Sequence, residues 1–105
     1  MKKIVAICAC PMGVAHTYMA ADAIEEAGKK LGCEVKVETQ GASGIENKLS
    51  DRDIAESDLI MIASLVKIAK SDRLEGYEDK TRKSDLKYTI NHAEEIISSF
   101  FNGEE

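Results

Sequence analysis

The chain has 105 residues, a mass of 11.5 kDa, 44% hydrophobic and 31% charged residues. Residues 1–105 therefore read as one globular domain and not as a disordered chain, and no apolar run approaches the ~20 residues of a membrane span. Nineteen acids against fourteen bases give a net charge of −5, which argues against nucleic acid and anionic lipid as partners.

Lys2 to Ala9 (KKIVAICA) is almost continuously apolar and rich in β-branched residues, the pattern of a strand buried on both faces of a parallel sheet. Only seven apolar residues follow Lys3 before Pro11, too few for a secretory leader. Pro11 and Gly13 break the run. A helix is predicted over 15–31, with Ala20, Ala23, Ile24, Ala27 and Leu31 on one face. Lys29 and Lys30 suit its negative end, and Gly32 is its terminating glycine. Glu34 to Thr39 alternates as a second strand, completing a βαβ unit. A loop follows at 40–44. Ser50 with Asp53 forms a capping box for a short helix near 51–56. Leu59 to Ala63 is the third strand. A polar edge strand is expected near 77–83, and Leu86, Ile90, Ala93, Ile97 and Phe100 mark a closing helix over 86–101. The predicted fold is a small three-layer α/β/α domain with a four-stranded parallel sheet, order 2-1-3-4. Ligands of such sheets bind beyond the carboxyl ends of the strands, so the loops at 9–16, 40–44 and 64–70 share one rim.

Three cysteines, an odd number, argue for reduced thiols in a cytoplasmic protein. Cys8 reads as buried and inert, Cys33 as structural. No metal or cofactor is implied: Asp51, Asp53, Glu56 and Asp58 scatter along a helix, and capping accounts for Asp51 and Asp53. Met19 and Met61 read as core, and His92 as a solvated or packed helix residue.

The loop Cys10-Pro11-Met12-Gly13-Val14-Ala15-His16-Thr17 carries the chemistry. A helix N-terminus offers free N–H groups and a positive dipole end, which hold an anion and stabilise a thiolate. Gly13 permits the close approach of amides to an anion, and His16 and Thr17 supply donors. The same residues also fit a plain structural role, with Cys10 a small apolar residue at a strand end and His16 a solvated one.

This loop resembles the active-site loop of the fructose-type IIB components of the bacterial phosphoenolpyruvate-dependent sugar phosphotransferase system, whose pattern is Cys-Pro-Thr-Gly-Ile/Val-Ala-His-Thr. The resemblance continues through Met19-Ala20-Ala21, Glu38-Thr39-Gln40-Gly41 and Gly44-Ile45-Glu46-Asn47. It implies a phosphotransferase in which Cys10 takes a phosphoryl group from a phosphohistidine of a IIA partner. The group then passes to a sugar, fructose or a related one, held by a membrane IIC transporter. Cys10 maps to the phosphocysteine, and Pro11, Met12, Gly13, Val14, Ala15, His16 and Thr17 to its P-loop-like phosphate-binding loop. Gln40 and Gly41 map to the neighbouring loop. The chain would be a cytoplasmic monomer, transiently at the inner membrane face but not inserted, with Lys67, Lys70 and Arg73 steering an acidic IIA. Met12 replaces the usual threonine, Ser64-Leu65 replaces Ala-Asp, and residues 75–84 are more polar than the family's fourth strand. Two alternatives stand beside this reading. One is a regulatory phosphoprotein without transport. The other is a cysteine-dependent phosphatase, which lacks its Cys-x5-Arg arginine because His16 occupies that place.

Overall fold

Strand β1 (Lys3–Ala9) is flanked on both edges by parallel partners. From Ile4 to Ala9 every side chain is buried, as its apolar sequence requires of a strand covered on both faces. The structure is a computed structural model that describes residues 2–9, 15–41, 44–64, 68 and 71–102. Helix α1 (Ala15–Lys30) follows, then β2 (Glu34–Gly41), β3 (Gly44–Glu46), α2 (Asp51–Glu56), β4 (Leu59–Ala63), β5 (Thr81–Ser84) and α3 (Leu86–Asn102). Short 3-10 turns at Ser71–Leu74 and Glu78–Lys80 lie between β4 and β5.

The sheet has the order β3-β2-β1-β4-β5. Its four parallel strands stand as the sequence predicts them. The correction is a fifth: β2 runs on to Gly41 and pairs antiparallel with β3, matching Gln40 with Ile45 and Gly41 with Gly44. Three residues containing a glycine carry no alternation, so pattern reading sees only a loop there. The edge strand starts later than expected, at Thr81. The preceding residues form a turn that sends Lys80 Nζ to the carbonyls of Ile54 (3.0 Å) and Ser57 (2.6 Å). Helix α2 has no basic residue in its own last turn, and Lys80 supplies the cation that its negative end favours.

The two faces of the sheet bury different clusters. Ile4, Ala6 and Cys8 of β1 pack with Leu59 and Met61 of β4 beneath α1 and α3. Val5, Ile7 and Ala9 pack with Leu49, Ile54, Ile60, Ile62 and Leu74 on the α2 side. The three layers follow from this. The capping box is present: Asp53 N donates to Ser50 Oγ at 3.0 Å and Ser50 N donates to the Asp53 carboxylate at 2.9 Å. A hydrogen bond from Lys36, the backbone N–H of Ser50 and the Ser50 hydroxyl hold the Asp53 carboxyl at about 2, below its ordinary range.

Two expected core residues are not in the core. Met19 is 51% exposed and Leu31 is 39% exposed. The buried face of α1 is Thr17, Ala20, Ala21, Ile24, Ala27 and Gly28, and Met19 projects from the opposite side with Asp22 and Glu26. Leu31 falls beyond the helix, where Gly32 at φ 76° turns the chain. There Gly32 N donates to Lys29 O and Cys33 N donates to Gly28 O, 3.1 and 2.8 Å. This paired termination relies on a left-handed residue that glycine adopts without strain.

Gly28 has a different reason. A Cβ at this position would lie 2.1 Å from Val35 Cγ2 of β2. The helix therefore sits closer to the sheet than any side chain at 28 would permit. In an open helix glycine costs about 1 kcal/mol relative to alanine, so Gly28→Ala is normally stabilising. Here we expect it to lower the melting temperature, because Val35 is β-branched and stiff. In a Val35→Ala background the same change is expected to raise stability. Thermal unfolding of the four proteins reads this directly, and a stabilised Gly28→Ala single variant would contradict the close packing.

Cys8 is fully buried on the α1 side, and burial, aided by Glu25, pushes its thiol up to about 12. Since the thiolate is the reactive form, Cys8 is expected to resist iodoacetamide at neutral pH until the chain is denatured. Labelling of Cys8 in the native state would contradict its placement.

Candidate functional site

In this parallel sheet the carboxyl ends of β1, β2 and β4 lie together. Ala9, the last residue of β1, is level with Gln40 of β2, and Cys8 is level with Ala63 of β4. Only residues 10–14 separate Ala9 from Ala15, the first residue of α1. Cys10, Pro11, Met12, Gly13 and Val14 lie outside the described residues, as do Lys67 and Lys70. On one side stands the end of the central strand, buried and paired on both edges. On the other stands the start of a 16-residue helix with no acid in its first turn and two lysines in its last. The acid-free first turn leaves the positive end of that helix without a neutralising carboxylate of its own, and an anion is favoured there.

The described members of the predicted loop leave the first turn of α1 on different sides. Ala15 and His16 are exposed, whereas Thr17 is buried against the sheet. Next to them the Tyr18 hydroxyl donates to Glu46 Oε1 of β3, and Thr39 Oγ1 donates to the same oxygen at 3.3 Å. The hydrogen bond to Glu46 holds the Tyr18 phenol above its ordinary value. Glu46 thus ties the β2–β3 hairpin to the beginning of the helix. His92 lies within the α3 span at a break in its helical geometry (φ −133°, ψ 20°), partly exposed and stacked on Tyr88 with ring centroids 4.3 Å apart.

On the α2 side of the sheet lies a group that motif reading does not reveal. Glu38 is fully buried. Arg73 grips it in a fork, Nη1 to Oε1 at 2.7 Å and Nη2 to Oε2 at 2.6 Å. Leu49 N donates to Oε1 at 2.8 Å and Gln40 Nε2 donates to Oε2 at 2.7 Å. Arg73 Nη1 also reaches Leu49 O at 3.0 Å. Burial alone would push the Glu38 carboxyl up. The donors from Arg73, Gln40 and Leu49 outweigh it and hold the group below its ordinary value. Such bidentate, charge-assisted bonds are the strong ones. Arg73 is consequently not a steering base: its side chain is 7% exposed and faces a carboxylate.

The sequence carries part of the signal for this cluster: the predicted order 2-1-3-4 puts the second strand at an edge, and the pairing with β3 makes that strand interior. Lys36, Glu38 and Gln40 alternate along β2, an interior strand, so one face of it carries only polar residues. Interior parallel strands are otherwise apolar, and a polar stripe on one demands buried partners. Among the described residues no group of three or more potential ligands could hold a metal ion. No helix among them is long and apolar enough to cross a membrane.

Comparison with known proteins agrees with this geometry. A family profile described as "PTS system, Lactose/Cellobiose specific IIB subunit" matches residues 5–99. The "PTS system fructose-like EIIB component 1" of Escherichia coli is 46% identical over 103 residues, covering 93% of this chain and 95% of the relative. Component 2 from the same species is 51% identical over 76 residues, 72% of each chain. Among solved structures, a domain of a fructose-specific IIABC component from Borrelia burgdorferi superposes with a TM-score of 0.87 at 44% identity, covering 96% of this chain and 94% of that one. The profile and the relatives name different sugars, but all name the same subunit. On these grounds the chain belongs to the IIB family of the sugar phosphotransferase system, among its fructose-like members.

Proposed function

We propose that this chain is a phosphoryl carrier in which Cys10 is the acceptor. The observation that carries this reading is the bracketing of Cys10. It follows directly on the last residue of the central strand and lies five residues before the first residue of α1, a helix whose positive end has no acid of its own. A thiolate at that place is stabilised by the helix, and so is the phosphoryl group it acquires.

In the first step the Cys10 thiolate attacks the phosphorus of a phosphohistidine on a IIA partner. The S–P bond forms as the P–N bond breaks, and the imidazole leaves. In the second step a sugar hydroxyl on a IIC transporter attacks the same phosphorus. The O–P bond forms, the P–S bond breaks and the thiolate returns; the hydroxyl proton goes to a base outside this chain. Both displacements are in line and need positioning and neutralisation of the equatorial oxygens more than proton transfer. Backbone N–H groups of residues 12–17 and the exposed His16 fill that role. Fructose or a related sugar is the substrate, in keeping with the fructose-like names of the relatives. The sugar is held by the transporter.

Donor and acceptor must both reach one sulfur, so IIA and IIC use the same rim in turn, and such encounters are small and short-lived. The phosphatase alternative loses support. It needs an arginine six residues after the cysteine, where His16 stands, and the buried Arg73 is bonded through both terminal nitrogens to Glu38.

Cys10→Ser is expected to abolish phosphoenolpyruvate-driven phosphorylation of sugar when the purified chain is combined with its IIA and transporter. Cys8→Ala and Cys33→Ala are expected to retain most of it. Full transfer by Cys10→Ser would overturn the assignment.

A further inference from the structure

Helix α2 has six residues and buries one of them, Ile54. A helix of that length does not hold itself in water, so its surroundings must hold it. Residues 71–80, between β4 and β5, do so at both of its ends. At the entry, Arg73 Nη1 donates to the carbonyl of Leu49, the residue before the N-cap Ser50, at 3.0 Å. The same guanidinium is forked on Glu38 of β2 at 2.7 and 2.6 Å, and Leu49 N donates to that carboxylate at 2.8 Å. At the exit, Lys80 Nζ donates to the carbonyls of Ile54, Ala55 and Ser57 at 3.0, 3.4 and 2.6 Å. The three oxygens match the three N–H groups of an ammonium, and the end of a helix leaves such carbonyls short of partners. Between the two cations, Leu74 is buried and Tyr77 partly buried in the same cluster as Leu49 and Ile54.

We propose that residues 71–80 are a strap over α2, and that the strap and residues 49–57 open and close as one unit while β1, β4, α1 and α3 stay folded. The coupling follows from the two cations. Lifting the strap takes the guanidinium from a fully buried carboxylate. An uncompensated buried charge is costly, so Glu38 must take up water, and the Leu49 segment bonded to it must move as well. Losing α2 in turn strips Lys80 of its three acceptors and Arg73 of the Leu49 carbonyl. The other ties of α2 to the sheet, Lys36 to Asp53 and Lys3 to Glu56, are partly exposed, and pairs of that kind contribute little. The opposite face is covered by helices of 16 and 17 residues and has no need of a strap. Opening uncovers Val5, Ile7, Ile60 and Ile62, the apolar face that this unit packs against.

Native-state amide hydrogen exchange of the full chain, followed in increasing urea, reads the openings. The amides of Leu49, Ile54, Ser57, Glu75 and Tyr77 are all bonded within the unit or to Glu38 beneath it. They are expected to converge on one opening, populated at least roughly tenfold more than the one that releases the amides of β1 and β4. Lys80→Met keeps the aliphatic stem and removes the ammonium. It is expected to speed exchange at Leu49, to which the Lys80 ammonium donates no bond, by the same factor as at Tyr77, roughly tenfold. The wild-type profile decides the matter even where the variant fails to fold. Separate openings for 49–57 and 71–80, a single opening shared with β1 and β4, or an unchanged rate at Leu49 in folded Lys80→Met overturns the inference.

Discussion

The carboxyl end of β1 is the constraint on which the rest depends. A strand paired in parallel on both edges and buried on both faces from Ile4 to Ala9 cannot shift without breaking two ladders and two cores at once. Its register with Gln40 on one side and Ala63 on the other is therefore set by the hydrophobic interior, far from any chemistry. The next residue, Cys10, begins at a point that the core determines. Five residues later α1 begins, and Gly28 draws that helix against Val35 more closely than any other residue would permit. The ends of the 10–14 segment, Ala9 and Ala15, are thus both anchored by packing, and the electrostatics of the helix terminus act on whatever stands between them.

The two sides of the sheet solve different problems. The side under α1 and α3 is apolar, and its one thiol, Cys8, is held protonated by burial. The α2 side accepts a buried carboxylate, which is costly in isolation and is maintained because four donors converge on it. The Glu46 contacts to Tyr18 and Thr39 perform a similar join on the α1 side. Acidic residues at the strand ends thus link the hairpin, the helix start and the turn after β4 around one rim.

Much of this was legible in the sequence, and for definite reasons. β1 and β4 declare themselves because buried parallel strands must be apolar; α1 and α3 do so through their spacing, and α2 through Ser50 and Asp53. The short β3 does not, because Gly44-Ile45-Glu46 is too brief for any period to show. Met19 and Leu31 mislead because a helix residue's type says little about its face when the helix ends one residue early or the buried stripe is shifted. The Glu38–Arg73 pair joins residues 35 positions apart, and no local pattern announces such a partner. The polar stripe on β2 implies a buried partner only once the pairing with β3 makes that strand interior. The segment 10–17 stands out in the sequence as a motif of residue types, through its resemblance to the IIB family.

The central claim is that the phosphoryl group rides on Cys10. Trypsin releases residues 4–29 as one peptide that holds Cys8, Cys10 and His16 together, so a single fragment contains the three candidates and its fragmentation separates them. After incubation with phosphoenolpyruvate, the general phosphotransfer proteins and a IIA partner, the account predicts one phosphoryl group on this peptide, assigned by tandem mass spectrometry to Cys10. Phosphate on His16 or on the peptide containing His92, or none on the chain while sugar is still phosphorylated, would contradict it.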